Sequence, residues 1–263
     1  MSYEQLISKN RSYLTSQGSW QKVKSSKKWP IKISSGRCST ASLLLTTNSI
    51  IYFLSILIKS GERKLSNASV KISECQNLKH AHVLDVACGT ADSSIALAKA
   101  GVPFVTGVDI SEGMIKVGEE KIASLNINNI NLKVDDCENL SFEDNTFNSA
   151  FIAFGIRNFE DKKKGLNELR RVLKDNGHLL ILELSVPQNK ILLSLYKLYF
   201  LHVLPFIGKK ISGDSKAYTY LPLSVMNFPK PKDFLAMMEE CGYKNVKQKA
   251  LTFGLCRIYE GFV

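Results

Sequence analysis

From residue 81 onward, short apolar runs alternate with stretches whose hydrophobic positions recur at helical spacing. His82–Ala87 (HVLDVA) is an apolar run closed by a glycine-containing turn, as a buried parallel strand should be. Asp92–Ala100 reads as a helix stopped by Gly101 and Pro103. A second strand, PFVTGVD, ends at Asp109. Ser111–Ser124 follows as a helix with Ser111 as its N-cap and Met114, Ile115 and Ile122 on one face. Ile130–Val134, Phe147–Phe154 and Gly177–Leu184 are the third, fourth and fifth strands. Between the last two, Leu166, Leu169 and Leu173 line one face of a helix over Asp161–Leu173.

Strand and helix alternate at spacings that suit right-handed crossovers. The expected fold class is therefore α/β, with a mostly parallel sheet covered by helices on both faces. In such a sheet a ligand lies outside the carboxyl ends of the strands, so the residues just past each strand carry the chemistry. Here these are Cys88-Gly89-Thr90-Ala91-Asp92, Asp109, Asp135-Asp136-Cys137 and Ala153-Phe154-Gly155-Ile156-Arg157-Asn158.

The first turn separates two cofactor classes. A dinucleotide needs GxGxxG, so that its pyrophosphate can lie against backbone N–H groups at a helix N-terminus. This chain offers Gly89 followed by the carboxylate of Asp92, which would repel a phosphate. S-adenosylmethionine (SAM) has no phosphate and carries a sulfonium cation, so acids near the turn favour it. Gly89 then lets the backbone approach the cofactor. Asp109 can accept both ribose hydroxyl hydrogens, and Asp136 the adenine amino group. The Cys137 N–H can donate to a ring nitrogen, while Asp85 and Thr90 hold the methionine end. Any one of these acids alone reads as strand-end capping; their combination at three strand tips points to a site.

Composition narrows the partners. The chain of 263 residues has a formal charge of +11, but residues 1–80 carry 13 Lys/Arg against 3 Asp/Glu and the remainder 22 against 21. The positive field is thus outside the α/β region, which argues against nucleic acid as a partner. Six scattered cysteines without a CxxC pair support neither a disulfide framework nor zinc, and the four histidines lack ligand spacing, so no metal is expected. Residues 1–80 hold 17 serines and no signal-peptide pattern; their Ser-rich, acid-poor composition also fits a transit peptide, although lysine outnumbers arginine. Ala41–Ile58 is an uncharged run of 18 residues that includes six Ser, Thr or Asn, readable as a marginal membrane span or as a helix packed on the protein or on a surface.

The quoted stretches carry a resemblance. VLDVACGTADSSIAL, TGVDISEGMI, ENLSFEDNTFNSAFIAFGIRNFED, RVLKDNGHLLILELS and the tail from YKLYFLHVLPFIGKKISGDSKAYTYLPLSVMNFP to LTFGLCRIYEGF resemble the UbiE/MenG family of quinone-biosynthesis C-methyltransferases. The resemblance implies a class I SAM-methyltransferase, Rossmann-like, with a seven-stranded mostly parallel sheet and an antiparallel C-terminal strand. It puts SAM contacts on Thr90, Asp109, Asp136 and Cys137, and it divides the chain into residues 1–80 and a methyltransferase domain over 81–263 with a lid insertion at about 186–225. Ala91 stands where many members have glycine, Asp175-Asn176 replaces the usual Pro-Gly turn, and Leu223 stands where an acid is common. The family's Tyr-Asp-x-x-Asn lid segment has only a faint echo upstream of residue 81.

The activity so implied is methylation of a prenylated quinol carbon, with AFGIRNF and AYTYLP closest to members that make menaquinol from demethylmenaquinol. The benzoquinol step toward ubiquinone and a SAM-binding protein without turnover are the alternatives. Ile191–Ile207 is rich in Leu, Phe and Tyr and precedes Lys209-Lys210; it reads either as core or as a lid for an isoprenoid tail resting on an anionic membrane. A tail buries methylenes at roughly 0.8 kcal/mol each. Arg157 is the candidate for stabilising a phenolate and Asn158 for orienting a water, since a guanidinium is too basic to take the proton itself. A structural salt bridge is the other reading of Arg157. Asp214, Tyr218 and Tyr220 are secondary candidates, and His202 reads as a packed histidine. A cytoplasmic protein, peripheral at the inner membrane face, follows from the resemblance; oligomerisation stays open.

Overall fold

The computed structural model describes residues 81–198 and 224–263. The described residues form β1 (His82–Val86), α1 (Asp92–Lys99), β2 (Phe104–Asp109), α2 (Glu112–Ser124), β3 (Ile130–Val134) and β4 (Phe147–Ala153). There follow α3 (Lys162–Val172), β5 (Leu173–Leu184), α4 (Lys190–Leu198), α5 (Pro231–Glu240), β6 (Lys244–Leu251) and β7 (Cys256–Phe262). The sheet has seven strands in the order β3-β2-β1-β4-β5-β7-β6. The first five strands are mutually parallel, and β7 runs antiparallel to both β5 and β6. The expected α/β class and antiparallel C-terminal strand are both present.

Local chemistry sets the helix starts. Ser111 accepts the Met114 N–H, and Asp161 accepts the Lys164 N–H at 3.0 Å, so each caps a helix one residue inside the predicted start. Leu173 departs from expectation: its extended backbone ends α3 and opens β5 at once, where a strand was expected only from Gly177. From Phe147 to Ser149 β4 advances two residues, while its partners advance from Leu173 to His178, so the exposed Lys174-Asp175-Asn176 step out of register. Asn176 takes φ 60°, a left-handed turn conformation that asparagine tolerates.

The sheet is apolar on both faces, as parallel strands between helices must be. On one side Leu84, Val86, Ala150, Ile152, Leu179 and Ile181 pack with Leu166 and Leu169 of α3 and Phe234 and Met238 of α5. On the other, Val83, Val105, Phe151 and Leu180 pack on Leu97 of α1, and Ile122 of α2 joins Ala91 and Ile95. Both edges are unattractive to further strands: β3 is only partly buried, and β6 exposes Lys244, Lys247 and Lys249. Strand order reverses between β1 and β4, so their carboxyl ends open the crevice. Among the described residues no helix is long and apolar enough to cross a membrane. The Ala41–Ile58 run, the basic region of residues 1–80, and His202, Lys209, Lys210, Asp214, Tyr218, Tyr220 and Leu223 lie outside the described residues.

Candidate active site

The tip of β1 turns sharply into α1. Ala87, Gly89 and Ala91 all have left-handed φ (54°, 56° and 64°), and the Cys88 N–H donates to the Val108 carbonyl at 2.9 Å, holding the turn against β2. Left-handed alanines are strained by their Cβ. Ala91, fully buried, stands where many family members have glycine, and it holds a conformation that glycine adopts freely. At Gly89 a Cβ would meet nothing within 4 Å, so the turn faces open space. Gly155, past β4, is the reverse case, since a Cβ there would come within 2.6 Å of the Ala87 Cβ. Its absence lets the β1 and β4 turns close on each other at the switch point.

Carboxylates surround that space. Asp85 is buried, its Oδ2 accepting from Ser94 Oγ at 2.5 Å and its Oδ1 having no partner. Desolvation raises its pKa to about 7, opposed by the Ser94 hydrogen bonds and reinforced by the Asp109 and Asp92 charges. Asp109 accepts the Gly89 N–H on Oδ2 and the Ser111 N–H on Oδ1, each at 2.9 Å, and so ties the tips of β1, β2 and α2 together. Beyond β3 the two acids differ. Asp135 accepts from Asp136 N, Ser141 N and Ser141 Oγ and faces Lys133 at 3.8 Å, which makes it the structural member. Asp136 is exposed and accepts the Glu138 N–H on Oδ1. Cys137 is buried, its thiol pushed up to about 12 by desolvation against the pull of the Ala87 N–H, so its sulfur is inert packing beside the β1 turn. Burial, then the Asp85 and Asp109 charges, raise the Cys88 thiol as well.

Thr90 is placed differently from its expected part. Its hydroxyl donates to Asp92 Oδ2 at 2.9 Å and accepts from Lys121 Nζ at 2.9 Å, and Lys121 also reaches the Thr90 carbonyl and Asp92. The side chain is thus engaged in a half-exposed network with Asp92 and Lys121.

Past β4, Phe154 has φ 57° and its N–H donates to the Leu182 carbonyl at 2.8 Å; the chain then makes a 3-10 turn, Ile156–Asn158. Arg157 Nη1 donates to the Phe154 carbonyl and, at 3.0 Å, to Glu183 Oε1; the Arg157 backbone N–H donates to Glu183 Oε2 at 3.1 Å. Glu183 is fully buried, and desolvation raises its pKa against the lowering effect of Arg157. The salt-bridge reading of Arg157 is therefore realised, and its partner was not anticipated. The signal lay in GHLLILELS, where one acid interrupts a wholly apolar strand. Asn158 ends the same turn, its N–H on the Gly155 carbonyl at 3.0 Å.

The geometry fits a cationic nucleoside. Asp85 Oδ1 is a buried acceptor without a donor, a Cβ at Gly89 would meet nothing within 4 Å, and Asp85 and Asp109 would oppose a phosphate. Among the described residues no group of His, Cys, Asp and Glu is placed to hold a metal.

Residues 55–263 match the profile of the ubiE/COQ5 methyltransferase family, a match that begins ahead of the first strand. A Geobacter sulfurreducens protein named ubiquinone/menaquinone biosynthesis C-methyltransferase UbiE is 44% identical over 182 residues, covering 68% of this chain and 71% of its own. Demethylmenaquinone methyltransferase of Bacteroides fragilis is 42% identical over 179 residues, 67% of this chain and 73% of its own. Among solved structures, a SAM-dependent methyltransferase from Aquifex aeolicus superposes with a TM-score of 0.52 at 19% identity, over 74% of this chain and 89% of the other, a likeness of fold.

Proposed function

This chain belongs to the ubiE/COQ5 methyltransferase family, and from that premise we propose that it methylates a ring carbon of a prenylated naphthoquinol, converting demethylmenaquinol to menaquinol with SAM as methyl donor. The observation that carries the reading is the crevice itself: Asp85, Asp109 and Asp136 stand at the ends of three adjacent strands with no phosphate cradle, and the Arg157–Glu183 pair stands at the ends of the two strands beyond the switch point.

Bound SAM supplies an electrophilic methyl group on a sulfonium. Asp109 holds the ribose hydroxyls with the lone pairs that its two backbone donors leave open. Asp136 and the Cys137 N–H take the adenine, Asp85 takes the methionine ammonium, and Thr90 contributes through its backbone. On the quinol side the ring carbon becomes nucleophilic once a hydroxyl loses its proton, and the enzyme must hold the ring in line and stabilise the phenolate. Arg157 supplies the positive charge, and Asn158 orients a water that carries the proton away.

The substrate tail enters through residues 186–225, of which 186–198, with α4, and 224–225 are described. Ile191 and Leu198 of α4 are exposed, as is Phe253, at 82%, in the turn between β6 and β7. These apolar groups support peripheral contact with the cytoplasmic face of a membrane. In the same reading residues 81–263 are the methyltransferase domain and residues 1–80 a basic region that precedes it.

The test is incubation of the full chain with isotope-labelled SAM and reduced demethylmenaquinol. Labelled menaquinol is the expected product. Label appearing only in a ubiquinone-type benzoquinol would replace the ring assignment, and SAM binding without labelled lipid would overturn the enzyme.

A further inference from the structure

Glu183 is the feature that the cofactor argument leaves unused. It is a fully buried carboxylate at the carboxyl end of β5, and both its oxygens are directed at one short segment. Oε2 takes the Arg157 backbone N–H, and Oε1 takes Arg157 Nη1 and the Leu184 N–H at 2.8 Å. The pairing is selective. Arg257 is the register partner of Glu183 on β7, on the same face of the sheet and equally buried, yet it donates to Gln248 Oε1 at 2.6 Å. An ion pair serving only to staple neighbouring strands would take Arg257. The observed one reaches instead from β5 to the turn after β4, gripping backbone and side chain of the same residue.

We propose that Glu183 is a positioning residue for methyl transfer: its carboxylate fixes the Arg157 guanidinium and the 3-10 turn beneath it at the quinol side of the crevice. Two further observations agree. The Phe154 carbonyl accepts from the same Nη1, so that nitrogen is held between its own turn and the β5 carboxylate. The Arg157 side chain keeps 12% exposure, so it is held without being sealed off as Glu183 is. A bidentate grip of this kind needs a carboxylate with a reach of two methylenes, and neither a shorter nor a neutral acceptor reproduces both its charge and its span.

The inference rests on the part assigned to Arg157 above, and the experiment separates the two. In the full chain, Glu183→Gln, Arg157→Ala and the double variant are assayed with labelled SAM and reduced demethylmenaquinol, with SAM affinity measured by calorimetry. Glu183→Gln is expected to lower kcat at least about tenfold, with the KM values for both substrates within twofold of wild type. The double variant is expected to be no slower than Arg157→Ala, because the acid acts through the arginine. Should Glu183→Gln fail to bind SAM, Glu183→Asp, which keeps the buried charge paired, takes its place with a smaller loss of kcat. Wild-type kcat in a Glu183 variant that merely melts earlier would overturn the positioning role while leaving Arg157 intact. A double variant much slower than Arg157→Ala would overturn it too. Wild-type kcat in Arg157→Ala would remove Arg157 from the reaction, and Glu183 with it.

Discussion

The two halves of the crevice handle charge in opposite ways. Around β1–β3, Asp85, Asp109 and Asp136 are met by neutral donors, backbone N–H groups and a serine hydroxyl, so the half as a whole stays negative. At the tips of β4 and β5 the single acid, Glu183, is neutralised within the protein by Arg157. A negative half suits a ligand that brings a cation, and a half whose acid is paired with a guanidinium suits a ring that turns anionic during reaction. The contrast also says where substitutions act: on cofactor affinity in the first half, on turnover in the second.

The largest effect is expected at Asp109. Asp109→Ala removes a carboxylate that orders the Gly89 turn and that, in the proposed function, holds the ribose. Two charge-assisted hydrogen bonds at roughly 1.5–3 kcal/mol each make a loss of SAM affinity of at least about a hundredfold. Calorimetric titration checks it, and unchanged affinity would break the distinction between the halves.

Asp85 gives the next effect, through pH. Its pKa is raised in the fold to about 7 from an ordinary value of 3.8, so between these values the ligand-free folded state binds more protons than the unfolded chain. Stability of the ligand-free protein is therefore fully present at low pH and falls by about 1.4 kcal/mol per pH unit as pH rises toward 7. If Asp85 takes the methionine ammonium as proposed, SAM affinity runs the other way, because the ionised carboxylate is the form that attracts a cation. Denaturant titrations from pH 5 to 8 should show the decline in wild type and none of the Asp85 contribution in Asp85→Asn, whose SAM affinity should also lose its rise through neutral pH.

Much of the first half was legible in the sequence because strand ends, glycine turns and acids at those ends are local patterns. The five parallel strands fell within a few residues of their positions, and Ser111 and Asp161 capped their helices as their chemistry requires. Asp109 and Gly89 could be paired from topology alone. The second half depended on a contact between residues 26 positions apart, and nothing local marks Arg157 and Glu183 as partners except that an acid in LLILELS must be paired somewhere. The side-chain direction of Thr90 was equally hidden, being decided by Lys121, 31 residues on.

Within the second half, Arg157→Lys sharpens the comparison further. Lysine keeps the positive charge but carries a shorter, freely rotating donor that does not reproduce the position of Nη1 between Glu183 and Phe154, so about a tenfold loss of kcat is expected with SAM affinity unchanged. Single-turnover kinetics beside equilibrium SAM binding would separate the two quantities, and a fall in affinity equal to the fall in turnover would count against the division.

The smallest effect is expected where an ion pair sits in the cofactor half but outside its chemistry. Lys121 bonds Asp92 at 2.8 Å and Thr90 Oγ1 at 2.9 Å, and Asp92 is well exposed. In water such a pair contributes at most about 1 kcal/mol, because both side chains lose freedom and solvent screens the charges. Lys121→Ala should therefore leave unfolding free energy within that margin and SAM affinity within about threefold, the residual effect coming from the unclamped Thr90 carbonyl. The buried Arg157–Glu183 pair has the same formal composition and almost the same bond length, so a large effect at Lys121 would mean that proximity to the cofactor, rather than burial, decides which ion pairs matter here. Melting curves in low and high salt discriminate between these: the Lys121 contribution should vanish in high salt, whereas burial shields the Arg157–Glu183 pair from the same ions.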